Sequence, residues 1–284
     1  MNSKILIGTA GWSYPDWKGI VYPSPQPSGF HPLRLLSRLF DLVEVNSSFY
    51  RIPNPRHVER WAELVSDHPS FRFTFKMWSG FTHEIKRERP TRGHVRSFLE
   101  GVRPVSESGQ LAGFLVQFPA YYDARPIHRD HVSKFPDHFH PVPLFLEVRH
   151  RSWLDHLDRL DHMGWHMANI DHPPSPTSMV GTALSLNGAA YVRLHGRNSK
   201  QWFSRQASRD EKYDYLYEPN ELSPWIERIE RLQSTNDSIF VVTNNHFRGQ
   251  AVVNALELRK SLGKPPITDL PAELLQNYPR LKHL

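Results

Sequence analysis

Polar and apolar residues alternate cleanly over residues 71–77, with Phe71, Phe73 and Phe75 on one parity and Arg72, Thr74 and Lys76 on the other. Successive side chains of a β-strand point to opposite faces, so this stretch reads as a strand, greasy on one side and polar on the other. The design recurs. Residues 41–46 set Val43 and Val45 against Leu42, Glu44 and Asn46; residues 144–149 set Leu146 and Val148 against Glu147 and Arg149. Residues 190–195 set Val192 and Leu194 against Tyr191, Arg193 and His195. Segments 4–9, 111–118, 165–171 and 239–244 complete eight strand-like runs.

Between them, apolar residues fall at helical spacing. Leu35, Leu36, Leu39 and Phe40 mark one helix; Val58, Trp61, Ala62 and Val65 mark another, opened by Asn54 and a first-turn Pro55. Val95, Phe98, Leu99 and Val102 form a third face. Ser152 is the expected cap for a helix carrying Leu154, Leu157 and Leu160, and Ser223-Pro224 for one carrying Trp225, Ile229 and Leu232. Gly263 stops a last helix over residues 249–262. A short helix is expected near 131–139, none over the Pro/Ser-rich 172–187, and an irregular tail over 265–284.

Alternating strands and helices imply parallel pairing through right-handed crossovers. Eight such units predict an α/β fold, a single TIM-like (β/α) barrel domain over residues 1–284. The rival, an open doubly wound sheet, needs strands apolar on both faces, and these are polar on one face toward their C-terminal ends.

The 284 residues are 39% hydrophobic and 12% aromatic, enough for a substantial core. No run of eighteen apolar residues occurs and residues 1–4 lack a signal-peptide pattern, so a cytoplasmic protein with no membrane partner is expected. The absence of cysteine rules out disulfide and thiolate chemistry. A formal charge of +6, with a pI near 9.5, favours anionic partners. That charge is diffuse, without a Lys/Arg block, and the pattern sets no oligomeric state.

Barrel sites lie at the C-terminal strand ends. Strand parity nominates Glu44, Asn46, Lys76, Gln117, Glu147, Arg149, Asp171, Arg193, His195 and Asn244. Acids and bases on one buried face must compensate each other. Glu44 and Glu147, on opposite walls, are the expected acid/base pair with a small substrate between them, and His195 joins them as a third catalytic candidate. Aromatic residues Trp12, Tyr14, Phe49, Tyr50, Trp78, Trp153, Trp202 and Tyr215 crowd the adjoining loops and can stack on a base or sugar, or plug the rim. No HExxH stands beside a candidate carboxylate, so no metal ligand is assigned. A divalent metal near His83, His195 and His246 with Glu147 and Asp171 stays open. His128, His131, His138 and His140 read as solvated surface. GxGxxG, GxxxxGK[ST] and GxSxG are all missing, which leaves nicotinamide, P-loop and α/β-hydrolase chemistry without their loops.

The segments GTAGWSYPDW at 8–17, VEVNSSFYRIP at 43–53 and FRFTFKM at 71–77 with Thr82-His83, together with FLVQFP at 114–119, form one set. EVRHRSW at 147–153, YVRLHGR at 191–197 and NNHFRGQAVVNAL at 244–256 complete it. With these motifs the chain resembles the YecE-like family, a domain of unknown function (number seventy-two). The resemblance implies a TIM-like barrel and no reaction or cofactor. By motif position it adds Gly11, Trp12, Tyr50, His83, Trp153, Asn245 and His246 to the candidate site. Arg151 stands where the family pattern leads one to expect proline, and 121–141 matches no family pattern.

The leading expectation is an acid/base, hydrolase-like enzyme acting on an anionic phosphorylated or sugar-containing molecule at the barrel mouth. The alternatives are a nucleic-acid-binding or endonuclease-like barrel and a non-catalytic ligand-binding barrel.

Overall fold

A computed structural model describes residues 3–84 and 90–283. Eight strands, β1 (Lys4–Ala10), β2 (Leu42–Val45), β3 (Arg72–Lys76), β4 (Leu111–Gln117), β5 (Leu144–Glu147), β6 (His166–Asp171), β7 (Ala189–Leu194) and β8 (Ser238–Thr243), pair in chain order. Each pairing is parallel, and β8 returns to β1, closing the barrel.

Outside run α1 (Pro32–Leu39), α2 (Ser47–Tyr50), α3 (Pro55–Leu64), α4 (Ser79–Thr82), α5 (Arg92–Glu107), α6 (Pro126–Ser133) and α7 (Phe135–Phe139). They are followed by α8 (Leu157–His162), α9 (Ser199–Trp202), α10 (Arg209–Lys212), α11 (Pro219–Gln233), α12 (Gln250–Ser261) and α13 (Ala272–Asn277). No helix among the described residues is long and apolar enough to cross a membrane.

Strand parity divides the apolar residues into two layers. Leu6, Leu42, Leu115, Phe145, Tyr191 and Phe240 fill the lumen. Val43, Phe73, Phe75, Val116 and Val192 face outward into a much larger cluster beneath the helices. There Phe98 of α5 packs edge-on against Phe114 of β4 and Phe139 of α7. Complete burial of one such ring is worth roughly 2–3 kcal/mol. β1 and β2 approach closely at Gly8, where a Cβ would stand 1.9 Å from the Leu42 carbonyl oxygen.

Several expectations need correction. His150, not Ser152, accepts the first-turn N–H, and a 3-10 turn over Arg151–His156 precedes α8. α11 begins at Pro219, not after Ser223. Glu218 and Glu221 form a capping box there, and Pro224 lies inside the helix. The expected irregular tail holds α13 and a 3-10 turn (Pro279–His283), anchored by buried Leu274 and Leu281. His128 and His131 are half-buried: His128 stacks on Tyr122 at 3.9 Å, and His131 Nδ1 lies 2.7 Å from its hydroxyl. Residues 172–187 contain no helix.

Candidate functional site

Above the apolar plug, the inward parity of β2, β3, β5 and β7 places Glu44, Lys76, Glu147 and Arg193 at the C-terminal end of the lumen. Arg193 is buried and spans it. Its Nε donates to Glu44 Oε2 at 3.0 Å and its Nη2 to Glu44 Oε1 at 2.7 Å, while Nη1 donates to Glu147 Oε2. Arg149 donates to Glu147 Oε1 from Nε at 3.1 Å and from Nη2 at 2.8 Å. The Tyr191 hydroxyl donates to Glu44 Oε2 at 3.0 Å and meets Thr74 Oγ1 at 2.8 Å. Burial alone would raise the Glu147 pKa, yet Arg193 and Arg149 hold it well below the usual carboxylate range.

This arrangement corrects the expected place of the substrate. The two carboxylates do stand on opposite walls, but Arg193 fills the space between them, and both are fully buried. Carboxylates saturated by guanidinium are poor proton carriers. They form the floor of the site.

The open cleft lies above that floor and has a volume of about 130 Å³. Of the candidates, Asn46, Tyr50, Lys76, Gln117, Arg149, Arg193, His195 and Asn244 line it. Tyr14, Phe49 and His246 join them, together with Arg209 and Tyr213 from the β7–β8 connection. Sequence reasoning missed Arg209 and Tyr213, because the single helical turn of α10, which carries Arg209 and is capped by Tyr213, is too short for a periodicity that assigns side chains to a face.

Trp12, Asp171 and Asn245 are not among the lining residues. Trp12 is buried and packs edge-on against Trp61 at 5.0 Å. Asp171 shares the parity of Met167 and Asn169, not that of the lumen residue Ala168, and accepts from Arg197 at 2.9 and 3.3 Å. Asn245 donates to Tyr215 O at 2.7 Å and to Asn254 Oδ1 at 2.8 Å, holding the loop rather than facing the cleft. Of the positions added by resemblance, buried Trp153 bonds Tyr122 O at 2.8 Å. Gly11 has φ +76°, where a Cβ would stand 2.7 Å from the Tyr14 hydroxyl.

Lys76 is the cation most open to chemistry. It is half-buried, with Nζ 4.0 Å from the centre of the Phe49 ring. Burial, and then Arg193, lower its pKa from 10.5 to about 7, against the opposing pull of Glu147 and Glu44. Burial and Arg193 push His195 well below its usual value, and its Nδ1 lies 2.8 Å from Asn244 Nδ2. His83 is lowered to about 4 by burial and then by Lys76, and His246 to about 4 by burial and then by Arg209. Four basic side chains, Lys76, Arg149, Arg193 and Arg209, thus face two carboxylates, Glu44 and Glu147. Asp210 balances Arg209 in part, through a 2.9 Å bond. Among the described residues, no group of three or more His, Asp or Glu is arranged to hold a metal ion.

A family model described as protein of unknown function DUF72 matches residues 6–275. The chain belongs to the DUF72 family. It is 28% identical over 272 residues to UPF0759 protein YunF of Bacillus subtilis (strain 168), covering 91% of this chain and 94% of that one. UPF0759 protein YecE of Escherichia coli (strain K12) is 30% identical over 148 residues, 51% of this chain and 48% of that protein. Among solved structures, the DUF72 protein TM1631 of Thermotoga maritima MSB8 superposes with a TM-score of 0.80 at 30% identity, covering 92% of this chain and all of that one. The DUF72 protein EF0366 of Enterococcus faecalis V583 gives 0.79 at 24% identity, covering 94% and 98%, a likeness of fold alone.

Proposed function

We propose that this DUF72 barrel binds a small anionic molecule, phosphorylated or sugar-containing, in the cleft above Arg193 and performs acid/base chemistry on it. One observation carries the reading. Lys76 faces the cleft beside Arg149, Arg193 and Arg209, while the carboxylates beneath are already occupied by Arg193 and Arg149. An anionic group supplies the missing counter-charge, and converging donors in a half-enclosed site hold developing negative charge as well. Lys76, near neutrality, can give or take a proton at physiological pH. Glu44 and Glu147 then act by fixing Arg193, and His195 acts as a neutral hydrogen-bonding group.

The small cleft weighs against the nucleic-acid alternative, in which a polymer needs an extended groove. Titration with sulfate at constant ionic strength tests the reading by calorimetry. Saturable one-site binding is expected, weakened about tenfold in Arg149→Gln, the loss of roughly one charge-assisted contact. A wild-type protein that shows no saturable sulfate binding would refute it.

A further inference from the structure

We infer that the anionic ligand of this cleft is a carbonyl compound, and that Lys76 Nζ condenses with its aldehyde or ketone carbon. The inference rests on the anion-binding reading above and narrows its substrate class.

Lys76 is the last residue of β3, so its side chain rises from the lumen wall into the cleft. A lysine that serves only to balance charge sits against a carboxylate. Among the described residues, none lies within 4.0 Å of Lys76 Nζ, although two stand close by on the same floor. Glu44 gives its oxygens to Arg193 and Tyr191, and Glu147 gives its own to Arg193 and Arg149. What faces the amine instead is the Phe49 ring at 4.0 Å and the open cleft. Burial beside cationic Arg193 keeps a large share of this amine unprotonated near pH 7, which is how a lysine becomes a nucleophile. With the carboxylates locked, Lys76 carries the one primary amine that lines the cleft among the described residues. Arg149 and Arg209 supply the handle for an anionic substituent on the same molecule.

The step balances without a co-reactant. The amine lone pair forms a bond to the carbonyl carbon, and the C=O π pair moves to oxygen, giving a carbinolamine once protons are redistributed. The C–O bond then breaks, and the oxygen leaves as water with two protons. Counted from the ammonium form, lysine and carbonyl give a protonated imine and one water, with no oxidation.

The test uses glycolaldehyde phosphate with sodium cyanoborohydride, which reduces the imine to a stable secondary amine, followed by intact-mass and peptide mapping. At pH 7.5 an amine with a pKa near 7 has a free-base fraction on the order of several hundredfold larger than an ordinary lysine, partly offset by lower nucleophilicity. Labelling at Lys76 at least about tenfold faster than at the other lysines is therefore expected. Sulfate should suppress it, and it should be absent from both Lys76→Arg and Lys76→Met. Sulfate titration of the same proteins separates the two levels of argument. Sulfate binding with labelling spread evenly over the lysines, or with Lys76 labelling indifferent to sulfate, overturns this inference alone. No sulfate binding in the wild type overturns the reading beneath it.

Discussion

Arg193 reaches from β7 across the lumen to Glu44 on β2, with Nη2 2.7 Å from Oε1 and Nε 3.0 Å from Oε2. Both side chains are buried, and the same guanidinium also holds Glu147 on β5. Three strands are thereby tied through one cation. Removing that cation leaves Glu44 with only the Tyr191 hydroxyl, while Glu147 keeps Arg149. Arg193→Met should therefore cost about 3–5 kcal/mol, as breaking a buried pair does. Adding Glu44→Gln to that variant should recover a large part of the loss, because the stranded charge goes with it. Equilibrium urea unfolding of the single and double variants measures both effects. Equal stability of the two would show that the network is not coupled as the geometry requires.

Lys76 has a pH dependence with a definite sign. The unfolded chain keeps this lysine protonated up to its ordinary 10.5, whereas the folded protein releases the proton near 7. Between those values the unfolded state binds more protons, so the difference in stability between wild type and Lys76→Met should shift in favour of the wild type as pH rises from 7 to 9. Sulfate, which brings its charge against Lys76 itself, reverses the local balance by favouring the ammonium form. A carbonyl compound seated by its anionic group on Arg149 and Arg209 instead turns its carbonyl, not its charge, to the amine. Sulfate binding at pH 8 should then take up a fraction of a proton approaching one per site. Calorimetry in buffers of different ionisation enthalpy reads that number directly, and Lys76→Met should bring it near zero. Proton-neutral binding by the wild type would contradict the assigned titration.

Parity made much of this legible from sequence. Phe73 and Phe75 against Thr74 and Lys76 placed β3 with its polar face in the lumen, and the same rule oriented Glu44, Glu147 and Arg193. It misplaced Asp171, because β6 gives no parity signal: Met167 and Asn169 face outward, so a polar side chain does not mark the lumen there. Nor does parity report distance. That Arg193 fills the gap between Glu44 and Glu147 depends on the barrel's width and on a long side chain's reach. Arg209 and Tyr213 escaped because their loop is positioned by tertiary contacts. At α11 a signal was present: the Glu218-Pro219 pair with Glu221 is a helix start, and it prevails over Ser223-Pro224.

Gly8 sets how closely β1 and β2 approach. A methyl group in place of its hydrogen would stand 1.9 Å from the Leu42 carbonyl oxygen, which is backbone and cannot rotate away. The next pairs along, Thr9 with Val43 and Ala10 with Glu44, share that register. Gly8→Ala should therefore cost about 3 kcal/mol, the upper end of overpacking, and disturb the Glu44 end of the network. A melting temperature within a degree of wild type would show that the strands part freely.

Asn254 on α12 governs the loop that brings Arg209 and Tyr213 to the cleft. Its Oδ1 accepts from Tyr217 N at 3.1 Å and from Asn245 Nδ2 at 2.8 Å; its Nδ2 donates to Tyr217 O at 3.0 Å and to Glu257 Oε2 at 2.8 Å. All these bonds are made by one fully buried amide. Asn254→Leu keeps the volume but strands Tyr217 N, at about 1–3 kcal/mol for an unsatisfied group, while Tyr217 O keeps only the Arg280 Nη2 bond at 3.1 Å. The loss should be felt first where Tyr217 holds the end of the connection, rather than across the barrel. Limited trypsin digestion should cut near Arg205 and Arg209 several-fold faster than in the wild type, and sulfate affinity should fall with it. If cutting accelerates while sulfate affinity stays unchanged, the loop is not part of the binding site. If neither changes, Asn254 does not hold it.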